Sequence, residues 1–133
     1  MPELTVRTLK ESELDQAWPL VRGRSAETTL GGWRRFARRL VRRGGGILAV
    51  AAEDGLLHGV ATFEPVTRVR SGRVLQVETL VSFELSRRAP VRNALCAALT
   101  DFARGLQCEA VAVGLPGRGF VDHAAWRAGL DID

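Results

Sequence analysis

The stretch from Arg73 to Gly114 sets the narrowest limits on what this chain can fold into, because it reads as strand, crossover helix, strand. It runs RVLQVETLVSFEL, then SRRAPVRNALCAALTDFARG, then, after three residues, EAVAVG. The first run is rich in β-branched residues, which suit a pleated surface. In the middle piece Val91, Ala94, Leu95, Ala98, Leu99, Phe102 and Ala103 recur at three- and four-residue steps, laying one wide apolar stripe along a helix. Pro90 suits the first helical position and Gly105 the residue just past the end. Ala110 to Val113 is apolar throughout and too short for a helix, as a strand covered on both faces would be. A parallel pair joined in this way sets a helix amino end beside the end of a strand, and that end attracts anions. Function is expected there.

The flanking segments supply the rest of a mixed sheet. Leu4 to Arg7 alternate like a short first strand. Ser12 and Asp15 are candidate caps for a helix through Val21, with Leu14, Trp18 and Val21 on one face. In WRRFARRLVRR, Trp33, Phe36, Ala37, Leu40 and Val41 share one side, while Arg34, Arg35, Arg38, Arg39, Arg42 and Arg43 cover the other. Gly44, Gly45 and Gly46 stop that helix. Ile47 to Ala52 and Leu56 to Val69 read as two strands joined at Asp54-Gly55, with Gly59 as a candidate bulge. The last stretch, GRGFVDHAAWRAGLDID, fits a short helix from about Phe120 to Ala128. The expected order is β-α-α-β-β-β-α-β-α, an α/β (α+β) chain. No linker, repeat or low-complexity segment divides it, so residues 1–133 are expected to form one domain.

Composition narrows the function classes. The formal net charge is +4, and Lys10 is the only lysine, so the positive charge is almost wholly arginine. That favours an anionic partner without choosing among nucleic acid, a phosphorylated cofactor and simple solubility. Cys96 and Cys108 have neither CxxC nor metal spacing and read as reduced, buried thiols. No metal site is expected. No apolar run approaches a membrane span, and MPELTVRTLK has no signal-peptide core, so a cytoplasmic protein that does not engage a membrane is the expectation.

The element order resembles the GNAT (Gcn5-related N-acetyltransferase) superfamily over essentially the whole chain. LAVAAEDGLLHGVATF is similar to that family's second and third strands. VETLVSFELSRRAPVRNALCAALTDFARG is similar to its central motif, a strand, a loop of pattern Q/R-x-x-G-x-G/A and a helix. WRAGLDI resembles its closing helix. The resemblance implies an acyl-CoA N-acyltransferase-like mixed sheet and acetyl-CoA as co-substrate, with transfer of the acetyl group to a small-molecule or peptide amine. In such a fold the loop amides and the helix amino end hold the pyrophosphate, and glycine lets the phosphate approach. Arg87 takes the place of the motif's leading Q/R, Pro90 that of its first glycine and Arg92 that of its last glycine or alanine. Proline removes one donor.

The implied site residues follow from that alignment. Arg87, Arg88 and Arg92, with Val91 and Asn93, fall where the pyrophosphate would lie; the arginines either replace lost backbone donors with charge-assisted contacts or are solvated side chains. Positive charge at a helix amino end opposes the macrodipole unless an anion sits there. Glu78 aligns with the strand glutamate that serves as general base in many relatives, the alternative being a solvent-facing carboxylate. Backbone amides from Leu80, Val81, Ser82 and Phe83 would polarise the carbonyl and pair with the pantetheine arm, where the strands are expected to splay. The usual tyrosine proton donor has no counterpart, since the chain contains no tyrosine. Ala125 falls at its position beside Trp126, and His123 is the nearest titratable substitute. His58 reads as structural.

The resemblance also implies two further strands beyond those counted here. A shorter sheet leaves an edge that homodimerisation would cover. The arginine helix reads first as an amphipathic helix with a solvated basic face. Nucleic acid is a weaker option there, because no exposed aromatics interleave with the arginines. A module of this fold that binds a partner or another anion without catalysis is the alternative to an enzyme.

Overall fold

A computed structural model of the chain describes residues 3–24, 29–69, 72–115 and 119–122. Its centre is a seven-stranded mixed sheet in the order β1 (Thr5–Thr8), β2 (Gly46–Ala51), β3 (Leu57–Arg68), β4 (Gly72–Val77), β6 (Ala110–Leu115), β7 (Gly119–Asp122), with β5 (Leu80–Ser82) on β3 alone. Every pairing is antiparallel except β4 with β6. The helices are α1 (Trp18–Val21), preceded by a 3-10 segment over Glu11–Ala17, then α2 (Leu30–Arg42) and α3 (Pro90–Gly105).

Alternation along the strands sorts side chains into two cores. Leu48, Val50, Ala61, Phe63, Leu75, Val77, Val111 and Val113 meet Val91, Leu95 and Leu99 of α3 on one face. Ile47, Ala49 and Val60 meet Leu14, Ala17, Trp33 and Ala37 on the other. With both faces covered, the central strands carry the continuous apolar runs visible in the sequence. Helix α2 opens on Thr29, whose hydroxyl accepts the Gly32 N–H at 3.0 Å. It closes where the Gly45 N–H donates to the Leu40 carbonyl (2.8 Å) and Gly44 N–H to Val41 (3.1 Å), with Gly44 at φ +89°. That pairing is the Schellman stop that a glycine run permits.

Several expectations shift in detail. Ser12 lies inside the 3-10 segment, whose cap is Lys10; its N–H donates to the Glu13 carboxylate at 3.0 Å. Val41 is 56% exposed, because α2 meets the sheet along Trp33, Ala37 and Leu40. The single expected strand after Arg73 is two, β4 and β5, broken at Glu78-Thr79. Phe120 begins no helix: Gly119–Asp122 pairs with β6, so the sheet goes one strand further than counted. The rest of the expected closing helix lies outside the described residues. A bulge does occur next to Gly59, since Val50 faces Gly59 while Ala51 faces Leu57.

Candidate active site

The break between β4 and β5 is a bulge, and it decides where a site can form. Glu64 faces Gln76, whereas the Thr62 N–H donates to the Thr79 carbonyl at 2.9 Å. Phe63 of β3 therefore opposes two residues, Val77 and Glu78, and the extra residue bends the strand. Thr62 holds the bend: its side-chain oxygen, buried, accepts the Thr79 N–H at 3.0 Å. Below the bulge, β4 pairs with β6 as far as Val77–Val113. Above it, β5 stays with β3 while β6 continues against β7. The two parallel neighbours thus part past Val77 and Val113, leaving a gap in the sheet.

The ladder rule tells which backbone groups face that gap. Thr79 and Phe83 turn their polar groups to β3, the Phe83 N–H donating to the His58 carbonyl at 2.7 Å. Val81, in register with Val60, has the same sense. Leu80 and Ser82, the alternate residues, direct their N–H and C=O away from β3 into the gap. Glu78 is exposed at the bulge and makes no hydrogen bond or ion pair among the described residues. Beyond it, Phe83 and Leu85 are exposed, and the Phe83 ring meets His58 edge-on at 5.9 Å. His58 also lies 3.6 Å from Asp54.

The loop from β5 into α3 is closed on itself. Ala89, the cap position, has no side-chain acceptor, and Pro90 at the first helical position has no N–H. The next two amides go to Glu84: Val91 N–H donates to Oε1 at 3.0 Å and Arg92 N–H to Oε2 at 2.8 Å. The Arg88 N–H donates to the Ser86 hydroxyl (3.1 Å), the Ala89 N–H to the Ser86 carbonyl (3.2 Å) and the Asn93 N–H to the Ala89 carbonyl (3.0 Å). From Arg88 to Asn93, then, every backbone N–H already has an acceptor within the protein. Asn93 Nδ2 donates to the Arg88 carbonyl at 2.9 Å. Ala89 sits at φ 49°, ψ 55°, a left-handed conformation that costs a non-glycine residue about 1–2 kcal/mol. Surrounding bonds hold it there.

Arg87 and Arg88 are exposed and join no ion pair among the described residues; Arg92 is half-buried and Val91 buried. An anion does lie at the amino end of α3, as the basic cluster requires, but it is the protein's own Glu84 carboxylate. The sequence reading passed over Glu84. Its signal was indirect: a helix opening on Ala-Pro supplies no cap, so an acceptor must come from elsewhere in the chain. His123, Ala125 and Trp126 lie outside the described residues.

Several other ionisable groups tie elements together. Arg34 grips Asp15 (2.8 and 2.5 Å) and Arg38 grips Glu11 (2.6 Å), tying α2 to the 3-10 segment. The Arg34 guanidinium holds the Asp15 carboxyl below its ordinary range. Glu13 is also lowered, first by the Lys10 N–H and then by Arg7. Arg39 lies over the Phe36 ring at 5.6 Å. Burial pushes the Cys108 thiol up, which leaves little thiolate near neutrality. Among the described residues Cys96 and Cys108 form no disulfide, and no cluster of His, Cys, Asp or Glu that could hold a metal occurs. No helix among them is long and apolar enough to cross a membrane.

Backbone groups turned outward from an unpaired strand edge can pair with an extended, amide-bearing ligand. The loop fits a diphosphate less well, because its amides are already engaged.

Neither a family model nor a curated protein matches the sequence. Solved structures do match. An acetyltransferase of Trypanosoma brucei aligns at TM-score 0.68 with 20% identity, over 98% of this chain and 94% of that one. A GNAT family acetyltransferase of Staphylococcus aureus aligns at 0.70 with 16% identity, over 92% and 94%. The aminoglycoside N-acetyltransferase AAC(6')-Iy, in complex with CoA, aligns at 0.75 with 14% identity, over 86% and 78%. Likeness of this extent at such low identity is a likeness of fold, and the chain has the acyl-CoA N-acyltransferase-like fold of the Gcn5-related N-acetyltransferases.

Proposed function

We propose that the chain is an N-acetyltransferase that takes an acetyl group from acetyl-CoA and passes it to an amine. The observation that carries this reading is the parting of β5 from β6 at the bulge, with Glu78 exposed at the point of parting. A solved structure of the same fold in complex with CoA supports it.

Bound acetyl-CoA supplies an electrophilic thioester carbonyl. The chain's own contribution is threefold. The backbone groups of Leu80 and Ser82 pair with the arm and orient it, as the edge of an interrupted ladder does. Glu78 accepts the proton that an ammonium acceptor must lose before it can attack. Arg87 and Arg88, exposed beside the loop, provide a positive field for the phosphates.

The test is calorimetric titration with acetyl-CoA, followed by thiol release in the presence of a panel of amines. Binding and amine-dependent release are expected. Glu78→Gln should then lower turnover by about 10²–10⁴-fold while leaving acetyl-CoA affinity unchanged, the range for loss of a general base. Unchanged turnover removes Glu78 from that role. A second reading, a non-catalytic module of the same fold, is favoured by the closed loop between Glu84 and Asn93. Absence of acetyl-CoA binding at millimolar concentration in every form of the protein would select it.

A further inference from the structure

The mismatch at the loop has a definite cause, and it lies in one side chain. A helix amino end offers its first amides to an anion. In α3 the first of these positions is Pro90, which has none, so Val91 and Arg92 are the nearest donors. Both are taken by a single carboxylate, one oxygen each, at 3.0 and 2.8 Å. That carboxylate comes from seven residues before Val91, across a loop held by Ser86 and by the left-handed Ala89. A carboxylate bound to two amides does what one end of a diphosphate would do there. The two cannot share the position, since two anions on the same pair of donors repel.

We propose that Glu84 is an autoinhibitory ligand of the α3 amino end: it must swing out before any phosphate can be held there, and it thereby sets the affinity for a diphosphate-bearing donor. Arg87 and Arg88 gain a role from this. They are exposed within the loop itself, and able to receive either the arriving phosphate or the displaced carboxylate. The loop has an open and a closed arrangement, and the ligand acts by favouring the open one. The identity of the anion rests on the acyl-CoA reading; the competition with Glu84 does not.

The experiment compares wild type, Glu84→Gln and Glu84→Ala in titrations with coenzyme A, pantetheine and inorganic pyrophosphate. Glu84→Gln keeps an acceptor for one amide and removes the charge, so it guards against simple unfolding of the loop. Both variants should bind coenzyme A more tightly than wild type by about tenfold or more, the scale of a charge-assisted pair of hydrogen bonds. Pantetheine, which lacks the diphosphate, should bind all three alike. In the unliganded protein the Val91 and Arg92 amides should exchange slowly in wild type and faster in Glu84→Ala. Coenzyme A affinity that is unchanged or lower in both variants overturns the proposal, as does an equal gain for pantetheine. If no form binds coenzyme A but both variants gain pyrophosphate binding, the proposal stands and the acyl-CoA reading falls. If neither anion binds any form, the proposal falls.

Discussion

Thr62 is 1% exposed between the apolar Ala61 and Phe63 of β3, and its hydroxyl oxygen is what the Thr79 N–H finds where the ladder is interrupted. Removing that oxygen leaves a part-buried donor without its partner, at a cost of about 1 kcal/mol. Thr62→Val should therefore lower the unfolding free energy measured in urea by that amount despite its similar shape, whereas Thr62→Ser, which keeps the oxygen, should lose less. Equal losses would mean that the lost contact is packing and not the bond. At this scale the sequence reads Glu78 as a strand residue, whereas it stands in the break between β4 and β5, and nothing local marks Thr62 or Glu84. A threonine in a β-rich run looks like any β-former, and a glutamate before a basic loop looks solvated. Both acquire their roles from partners seventeen and seven or eight residues away.

Elements meet here at distances that glycine sets. A Cβ on Gly59 of β3 would stand 2.5 Å from Val91 Cγ1 and 3.1 Å from Leu95 Cδ1. The bare backbone is what lets the amino end of α3 rest on the sheet beside the bulge of β3. Gly59→Ala should destabilise the protein by about 1–3 kcal/mol through overpacking. Shortening the opposing side chain should relieve it, so that Gly59→Ala with Val91→Ala costs less than the two changes summed, as contacting sites behave in a double-mutant cycle. Thermal unfolding of the four proteins measures this; strict additivity would show that Val91 is not what the new methyl strikes. The sequence reading placed α3 well, because seven apolar positions at helical spacing and an N1 proline leave little choice. It marked Gly59 as special but attached it to the bulge alone, since the approach of a helix from another part of the chain has no local signature. The break between β4 and β5 is hidden for a different reason: the β-branched Val77, Thr79 and Val81 continue across it.

For the whole molecule, the parting of β5 from β6 makes the sheet weakest where the candidate site lies. Leu80 and Ser82 amides face the gap, so their hydrogens should exchange faster than those of Val81 and Phe83, which are bonded to β3. Acetyl-CoA should slow Leu80 and Ser82 alone. Equal protection of all four without ligand would mean that the gap is closed in solution. The arginine face shows a comparable division of labour: Arg34 and Arg38 fasten α2 to the 3-10 segment, so the helix is less of an open basic surface than six arginines in eleven residues suggest. By itself the sequence determined α2 and α3, the hairpin at Asp54-Gly55, the parallel crossover and hence the fold, because periodicity and turn chemistry act over a few residues and need no partner. It did not determine the strand that begins near Phe120. Only the tertiary structure decided that one extra residue opposite Phe63 opens the sheet, and that Glu84 fills the anion position at α3. Those two facts depend on register and on reach between distant segments, and neither leaves a mark on the neighbouring residues.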